Sequence, residues 1–106
     1  MIIREWRCRA MQSEAEKFPE YFRREVTPGL RVTPGFMGAF LSQRHTGEYT
    51  EFVVLTRWKS MDSIRAFAGA VPENAVIDMV AMATVESFDD KVRHYEVLED
   101  LAPKES

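Results

Sequence analysis

The chain has 106 residues, of which 45% are hydrophobic and 29% are charged, and its formal net charge at pH 7 is −3. This composition is ordinary for one globular domain and excludes a disordered chain. Because no basic stripe is present to neutralise phosphates, nucleic acid is not expected as the main partner. No apolar run approaches the length of a membrane span, and the charged start MIIREW lacks an apolar signal region, so we expect a protein that stays in the cytoplasm.

Residues 2–10 predict a first strand with apolar and polar side chains on both faces. Ser13 and Glu16 match a capping box and predict the start of a first helix. Pro19 would remove an interior hydrogen bond of that helix, so it predicts a kink or a later start. The apolar stripe of the helix consists of Phe18, Tyr21, Phe22 and Val26.

The letters Val-Thr-Pro-Gly occur at residues 26–29 and again at 32–35, and each copy predicts a turn. Residues 36–45 then alternate as a second strand. Gly38 inside that strand indicates a bulge or a place where another group approaches the backbone closely. A turn at 46–48 joins this strand to the next as a hairpin.

Residues 50–58 predict a third strand that is apolar on both sides, so both of its faces need to be covered. Ser60 is placed to cap a short amphipathic helix that ends at Gly69. Residues 75–85 are expected to form a short helix or a packed loop. Residues 91–98 predict a last strand.

This order of elements predicts the ferredoxin-like α+β fold, with a four-stranded antiparallel sheet and both helices on one face. Residues 1–98 would form a single domain, and residues 99–106 a charged tail. The second face of the sheet would leave an apolar patch exposed. A second copy of the chain covers it most simply, so we expect a homodimer with a cavity between each sheet and its own helices or its partner.

The sequence shows no pattern typical of a metal or cofactor site. Cys8 is the single cysteine and has no neighbouring Cys or His, which predicts that no metal is bound. No glycine-rich phosphate loop and no Ser, His, Asp arrangement is found. We therefore expect no cofactor, and any chemistry has to come from the substrate and dioxygen.

A set of short segments spread over nearly the whole chain carries a resemblance to a known family. They are IREW at 3–6, TPGF at 33–36, EFVV at 51–54, RWKS at 57–60, IRAFAG at 64–69, AV at 75–76 and VRHYEV at 92–97. In this order and spacing they resemble the antibiotic biosynthesis monooxygenase family of dimeric α/β-barrel proteins. The resemblance implies a homodimeric, cofactor-independent monooxygenase that acts on a small aromatic or phenolic substrate with dioxygen.

Three side chains are candidates for catalysis in such a protein. Trp58 would stack on an aromatic substrate and help to exclude water. His94, a side chain whose unperturbed pKa is roughly 6.5, would remove a phenolic proton, either directly or through water. Arg44 would hold the resulting anion, since a guanidinium donates to oxygens and stays charged.

Five further residues are candidates for binding the substrate. Arg4 is a second candidate for holding the anion. The apolar wall would be formed by Trp6, Phe40, Phe52 and Val54. Seven of the candidates also have purely structural interpretations: Trp58 as a plug of the barrel, the histidine as a strand residue with a hydrogen bond, the two arginines as surface ion pairs, and the three other aromatic residues as core.

Two positions bear on which chemistry of the family this chain would share. Quinone-forming members have an Asn four residues before the tryptophan, where this chain has Val54. The alternative is therefore a non-catalytic dimeric protein that binds a small ligand or acts in a stress response. Haem-degrading members have a His near the position of Ala68 and an Asn in the first strand, which this chain lacks, so haem degradation is the less expected activity.

Overall fold

The computed structural model describes residues 1–104 of the chain. The strands are β1 (Ile2–Met11), β2 (Phe36–Thr46), β3 (Tyr49–Trp58), β4 (Ser87–Phe88) and β5 (Arg93–Glu96). The helices are α1 (Lys17–Tyr21), α2 (Thr27–Arg31), α3 (Met61–Ala68) and α4 (Met79–Ala83), and a π-helical turn, Phe22–Val26, joins α1 to α2.

The strands form one antiparallel sheet in the order β2-β3-β1-β4, and β5 pairs with β1 along the same edge as β4. This is the predicted ferredoxin-like arrangement. The predicted last strand is shorter than expected and is preceded by the separate strand β4. Between them the backbone turns away from the sheet, because the Val92 amide donates to the Glu73 carbonyl and the Ala75 amide donates to the Asp90 carbonyl.

Strand β3 shows the alternation that fixes the two faces of the sheet. Its buried side chains all point toward the helices: Thr50, Phe52, Val54, Thr56 and Trp58. Phe18 of α1 packs on Phe52 with the ring centroids 5.2 Å apart, which places the first helix on this face. Val53 and Leu55 point to the opposite, outer face, where they are only half-buried. The face without helices therefore carries apolar residues, as the sequence predicted.

The first helix differs from the prediction at both ends. The capping box at Ser13 is wrong, because residues Gln12–Glu14 form a 3₁₀ turn and the helix begins at Lys17 without a side-chain cap. The later start expected from Pro19 is confirmed. The first predicted Pro-Gly turn is also wrong, because Pro28 lies in the first turn of α2 and the chain continues there as a helix after the π-helical turn.

The second Pro-Gly turn and the bulge at Gly38 are confirmed. Gly35 has a φ of 84° in the turn before β2, and Gly38 has a φ of 147° where the pairing of β2 with β3 shifts by one residue. The bulge reverses the alternation of the strand. Phe36 consequently faces the helices beside Trp58, whereas Phe40 pairs with Leu55 and faces outward.

The predicted second helix is α3, capped by the Ser60 hydroxyl, which accepts a hydrogen bond from the Ser63 amide at 3.2 Å. Helix α4 falls within the segment that was expected to be a helix or a loop. Residues 99–104 of the predicted tail are exposed and have no regular structure, and its last two residues lie outside the described part. Among residues 1–104, no helix has the length and apolar character that crossing a membrane requires.

Candidate functional site

A cavity of about 420 Å³ lies between the sheet and the helices. Its floor is formed by side chains of β1 and β3, among them Arg4, Trp6 and Val54, and its roof by the first helix, including Phe18 and Tyr21. Residues 75–78 complete the wall. A volume of this size lies within the roughly 300–1,000 Å³ found for small-molecule sites.

Arg4 is the buried cation on the cavity floor. Its side chain is 5% exposed, and burial lowers the pKa of the guanidinium, an effect that the nearby Glu73 carboxylate partly offsets. The guanidinium donates to the carbonyl oxygens of Pro72 and Asn74 and lies 2.8 Å from Nε2 of His94. These contacts use three of its five N–H donors, and the other two have no hydrogen-bond partner among the described residues.

His94 lies behind Arg4 and does not line the cavity. Because a guanidinium has no acceptor, the Nε2 atom of His94 has to accept the hydrogen bond and therefore carries no proton. Burial lowers the pKa of His94, and the positive charge of Arg4 lowers it further. The histidine is therefore placed to orient Arg4, and its ring nitrogen is occupied rather than free to meet a substrate.

Trp58 also lies behind the cavity wall. It is fully buried, and its indole N–H donates to the Thr56 hydroxyl at 2.8 Å. Its ring packs against Phe67, with the centroids 5.0 Å apart, and both Thr56 and Phe67 line the cavity. Trp58 thus holds two lining residues in place without reaching the cavity itself.

The predicted apolar wall is partly assembled. Trp6 and Val54 line the cavity, and the Trp6 indole donates to the Asp89 carbonyl at 2.6 Å. Phe52 is fully buried beneath Phe18, in the core beside the cavity. Of the wall residues expected from the sequence, Trp6 and Val54 therefore face the space where a ligand could bind.

Phe40 and Arg44 lie on the outer face of the sheet, away from the cavity. Phe40 is 61% exposed, and Arg44 forms an ion pair with Glu51 at 3.1 Å. Since Arg44 alternates with Gln43, which pairs opposite Phe52, its side chain cannot turn toward the helices without a change of register. The two arginines proposed to hold an anion are thus on opposite faces, and Arg4 is the one in the cavity.

The outer face combines ion pairs with exposed apolar side chains. A chain of charge pairs crosses the sheet through Arg44, Glu51, Arg7, Glu5 and Arg93. Phe40 and Tyr95, 61% and 48% exposed, lie on the same face. The charges on this surface are therefore largely paired, which lowers the cost of covering it.

The sequence did not single out the pair formed by Tyr21 and Asp78. The Tyr21 hydroxyl donates to Oδ2 of Asp78 at 2.8 Å, and Oδ1 of Asp78 accepts from the Ala81 amide at 2.8 Å. Burial, followed by the bond to Asp78, raises the pKa of Tyr21 to about 12. Hydrogen bonds from Ala81 and Tyr21 lower the pKa of Asp78. The only signal for this pair in the sequence is the position of Tyr21 in the apolar stripe of the first helix.

Cys8 and the acidic side chains offer no second centre. Burial raises the pKa of the Cys8 thiol to about 12, so the thiol stays protonated. Within the described range 1–104, no three His, Cys, Asp or Glu side chains lie close enough together to hold a metal ion.

Solved structures with the same fold include oxygenases and a haem-degrading enzyme. A monooxygenase of Streptomyces coelicolor, solved with nanaomycin D, is 19% identical and has a TM-score of 0.61, over 99% of this chain and 92% of its own. SnoaB, a cofactor-independent oxygenase of Streptomyces nogalater, is 16% identical with a TM-score of 0.62, over 96% and 98%. The haem degrader MhuD of Mycobacterium tuberculosis, solved with two haems, is 22% identical with a TM-score of 0.57, over 96% and 100%.

No curated protein matches the chain. The family model described as antibiotic biosynthesis monooxygenase matches residues 1–71, which contain the strands β1, β2 and β3 and the helices α1, α2 and α3. The match includes Arg4, Trp6 and Val54 on the cavity floor. The chain belongs to the antibiotic biosynthesis monooxygenase family.

Proposed function

We propose that this protein is a cofactor-independent monooxygenase that oxidises a small phenolic aromatic with dioxygen. The observation that carries the proposal is one buried arginine with free donors on the floor of an otherwise mostly apolar cavity. Such a cavity suits a flat apolar molecule that bears one anionic oxygen. The family and the fold shared with oxygenases support the same reaction class.

In this proposal Arg4 binds the substrate oxygen and stabilises it as a phenolate. A guanidinium in a water-poor cavity lowers the pKa of a bound phenol, because it favours the charged form of its partner. The proton passes to water at the cavity mouth. His94 acts through Arg4, since its Nε2 atom fixes the guanidinium from behind.

The reaction then needs no external reductant. The electron-rich ring of the phenolate reacts with dioxygen; one oxygen atom enters the substrate as a carbonyl and the other leaves as water. Both electron pairs come from the phenol, which loses its O–H and one ring C–H hydrogen as it becomes a quinone. Trp6 and Phe18 form an apolar wall that can orient the ring and exclude water.

The protein is proposed to act as a homodimer in the cytoplasm. The support for the dimer is the outer face, where Phe40 and Tyr95 are exposed beside paired charges. Two such faces could pack together with their apolar side chains buried. The cytoplasmic location rests on the sequence alone.

A non-catalytic ligand-binding protein is the second candidate. It is favoured by Val54, an apolar residue on the cavity floor where the quinone-forming members have an amide. Haem degradation is less favoured, because the described cavity wall contains no histidine. Titration with haem would then produce no shift of the Soret band.

Oxygen uptake over a panel of hydroquinones and anthrones tests the proposal. We expect the wild type to consume oxygen with at least one of them and Arg4→Met to lose activity by about 100-fold, the effect of one lost charge-stabilising donor group. Arg4→Lys keeps a cation and should retain part of the rate. Arg65→Met, on the exposed face of α3, is the matched control and should be unaffected.

Two results would overturn this assignment. Turnover that survives in Arg4→Met but is lost in Arg44→Met would move the anion site to the outer face. Binding of the panel compounds with no oxygen uptake by any of them would favour the ligand-binding protein.

A further inference from the structure

The cavity has a second polar wall that the proposed reaction does not use. Tyr21 belongs to the helical roof, whereas Arg4 belongs to the sheet, so the two side chains lie on opposite walls. Tyr21 is 6% exposed. Its partner Asp78 is exposed, which places this polar pair where the cavity opens to solvent.

The two walls offer opposite hydrogen-bonding groups. The Tyr21 hydroxyl donates its one hydrogen to Asp78, so its oxygen can only accept a further hydrogen bond. The Asp78 carboxylate can accept more bonds than the two it receives from Tyr21 and Ala81. Glu25, which also lines this side, adds a second acceptor. The roof therefore presents acceptors, and the Arg4 wall presents donors.

We propose that Tyr21 and Asp78 form a specificity subsite that accepts a hydrogen bond from a second, distal hydroxyl group of the ligand. The preferred ligand class is then an aromatic molecule with an anionic oxygen at one end and a hydroxyl donor at the other. This inference rests on the proposed function, because it assigns a second contact to the same bound molecule. It does not depend on oxygen chemistry.

The pair is fixed before a ligand arrives. Tyr21 is held by its buried ring, and Asp78 is held by the amide of Ala81, the residue three positions along the chain. A hydroxyl that arrives at this site meets acceptors that are already oriented and loses little further entropy. A ligand without that hydroxyl gains nothing there, so the pair discriminates between otherwise identical molecules.

Binding of two matched probes tests the subsite without turnover. 2-Naphthoate carries an anionic group for Arg4, and 6-hydroxy-2-naphthoate adds a hydroxyl at the far end of the same ring system. Isothermal titration calorimetry would measure both dissociation constants. We expect the wild type to bind the hydroxylated probe roughly 10-fold more tightly, the effect of one hydrogen bond of about 1.4 kcal/mol.

Substitutions then assign the preference to the pair. Tyr21→Phe keeps the ring but removes one of the two acceptors of the pair, so it should reduce the preference. Asp78→Asn keeps a capping side chain and should reduce the preference. Tyr49→Phe, a matched change of a tyrosine outside the cavity wall, should leave both affinities as in the wild type.

Several results would overturn the subsite. Equal affinity of the wild type for the two probes would do so, and so would a preference that is as large in both Tyr21→Phe and Asp78→Asn as in the wild type. Equal weakening of both probes in Tyr21→Phe would show that the pair only holds the segment of α4 in place. The outcome is independent of the proposed reaction: oxygen uptake can fail while the preference holds, and the preference can be absent while Arg4-dependent uptake is present.

Discussion

We predict that the protein loses stability as the pH falls below 6.5, because His94 is held neutral beside Arg4 in the folded protein. In the folded protein the pKa of His94 lies below its ordinary value of 6.5, because of burial and the charge of Arg4. The unfolded chain therefore takes up the proton at a higher pH than the folded chain does. The stability linked to the neutral form of His94 is fully present above pH 6.5 and is lost as the pH falls through the folded pKa.

The size of the effect follows from what protonation removes. Nε2 of His94 then carries a hydrogen and can no longer accept the bond at 2.8 Å from Arg4. A hydrogen bond to a charged group contributes about 1.5–3 kcal/mol, and the partial exposure of His94 reduces this to about 1–2 kcal/mol. Since a domain of this size shifts by about 4–8 °C per kcal/mol, the contribution to Tm is about 4–16 °C.

Urea denaturation at pH 7.5 and at pH 5 measures this contribution. His94→Gln keeps an acceptor oxygen for Arg4 but cannot titrate. From pH 7.5 to pH 5 its free energy of unfolding should therefore fall by about 1–2 kcal/mol less than that of the wild type. His45→Gln is the matched control, because His45 contacts Thr50 and not Arg4. If the wild type and His94→Gln lost the same free energy of unfolding, the titration of His94 would not be the source of the pH dependence.

Four other substitutions test the fold and its outer face. Trp58→Phe removes a fully buried indole and its bond to Thr56 and should cost about 2–4 kcal/mol in urea denaturation; a cost below 1 kcal/mol would contradict its supporting role. Gly35→Ala places a methyl group against Ser63 at a φ of +84° and should destabilise by more than about 1 kcal/mol, whereas Gly29→Ala, with open space around it in α2, should be neutral or stabilising; equal effects would contradict the turn geometry. Phe40→Glu should shift the proposed dimer to a monomer in sedimentation equilibrium; a wild type that is already monomeric, or a variant that stays dimeric, would contradict the face-to-face packing.

Period-two alternation predicted most of the fold, because strand parity is a local property. It placed Phe52, Val54 and Trp58 on one face of β3, and the structure agrees. The sequence did not predict in the same way which side chains of β2 face the helices. Gly38 signalled a bulge, but the resulting reversal, which sends Phe36 inward and Phe40 outward, depends on pairing with β3.

The site was harder to predict than the fold, because it depends on contacts between distant segments. Arg4 and Arg44 look equivalent in the sequence, and only the sheet register puts them on opposite faces. His94 is close to Arg4 because β5 pairs with β1 at the far end of the chain. The pairing of Tyr21 with Asp78 joins residues 57 positions apart, and no local pattern reports such a contact.

The central claim is that Arg4, on the helix side of the sheet, holds the anionic oxygen of an aromatic ligand. A crystal structure of the protein with 6-hydroxy-2-naphthoate tests this claim most directly. We predict the carboxylate at roughly 3 Å from the Arg4 guanidinium, the charge-assisted hydrogen-bonding distance, with the ring packed against the wall that Trp6 and Phe18 form. A ligand bound instead on the outer face beside Arg44, or an empty cavity at saturating ligand, would contradict the claim.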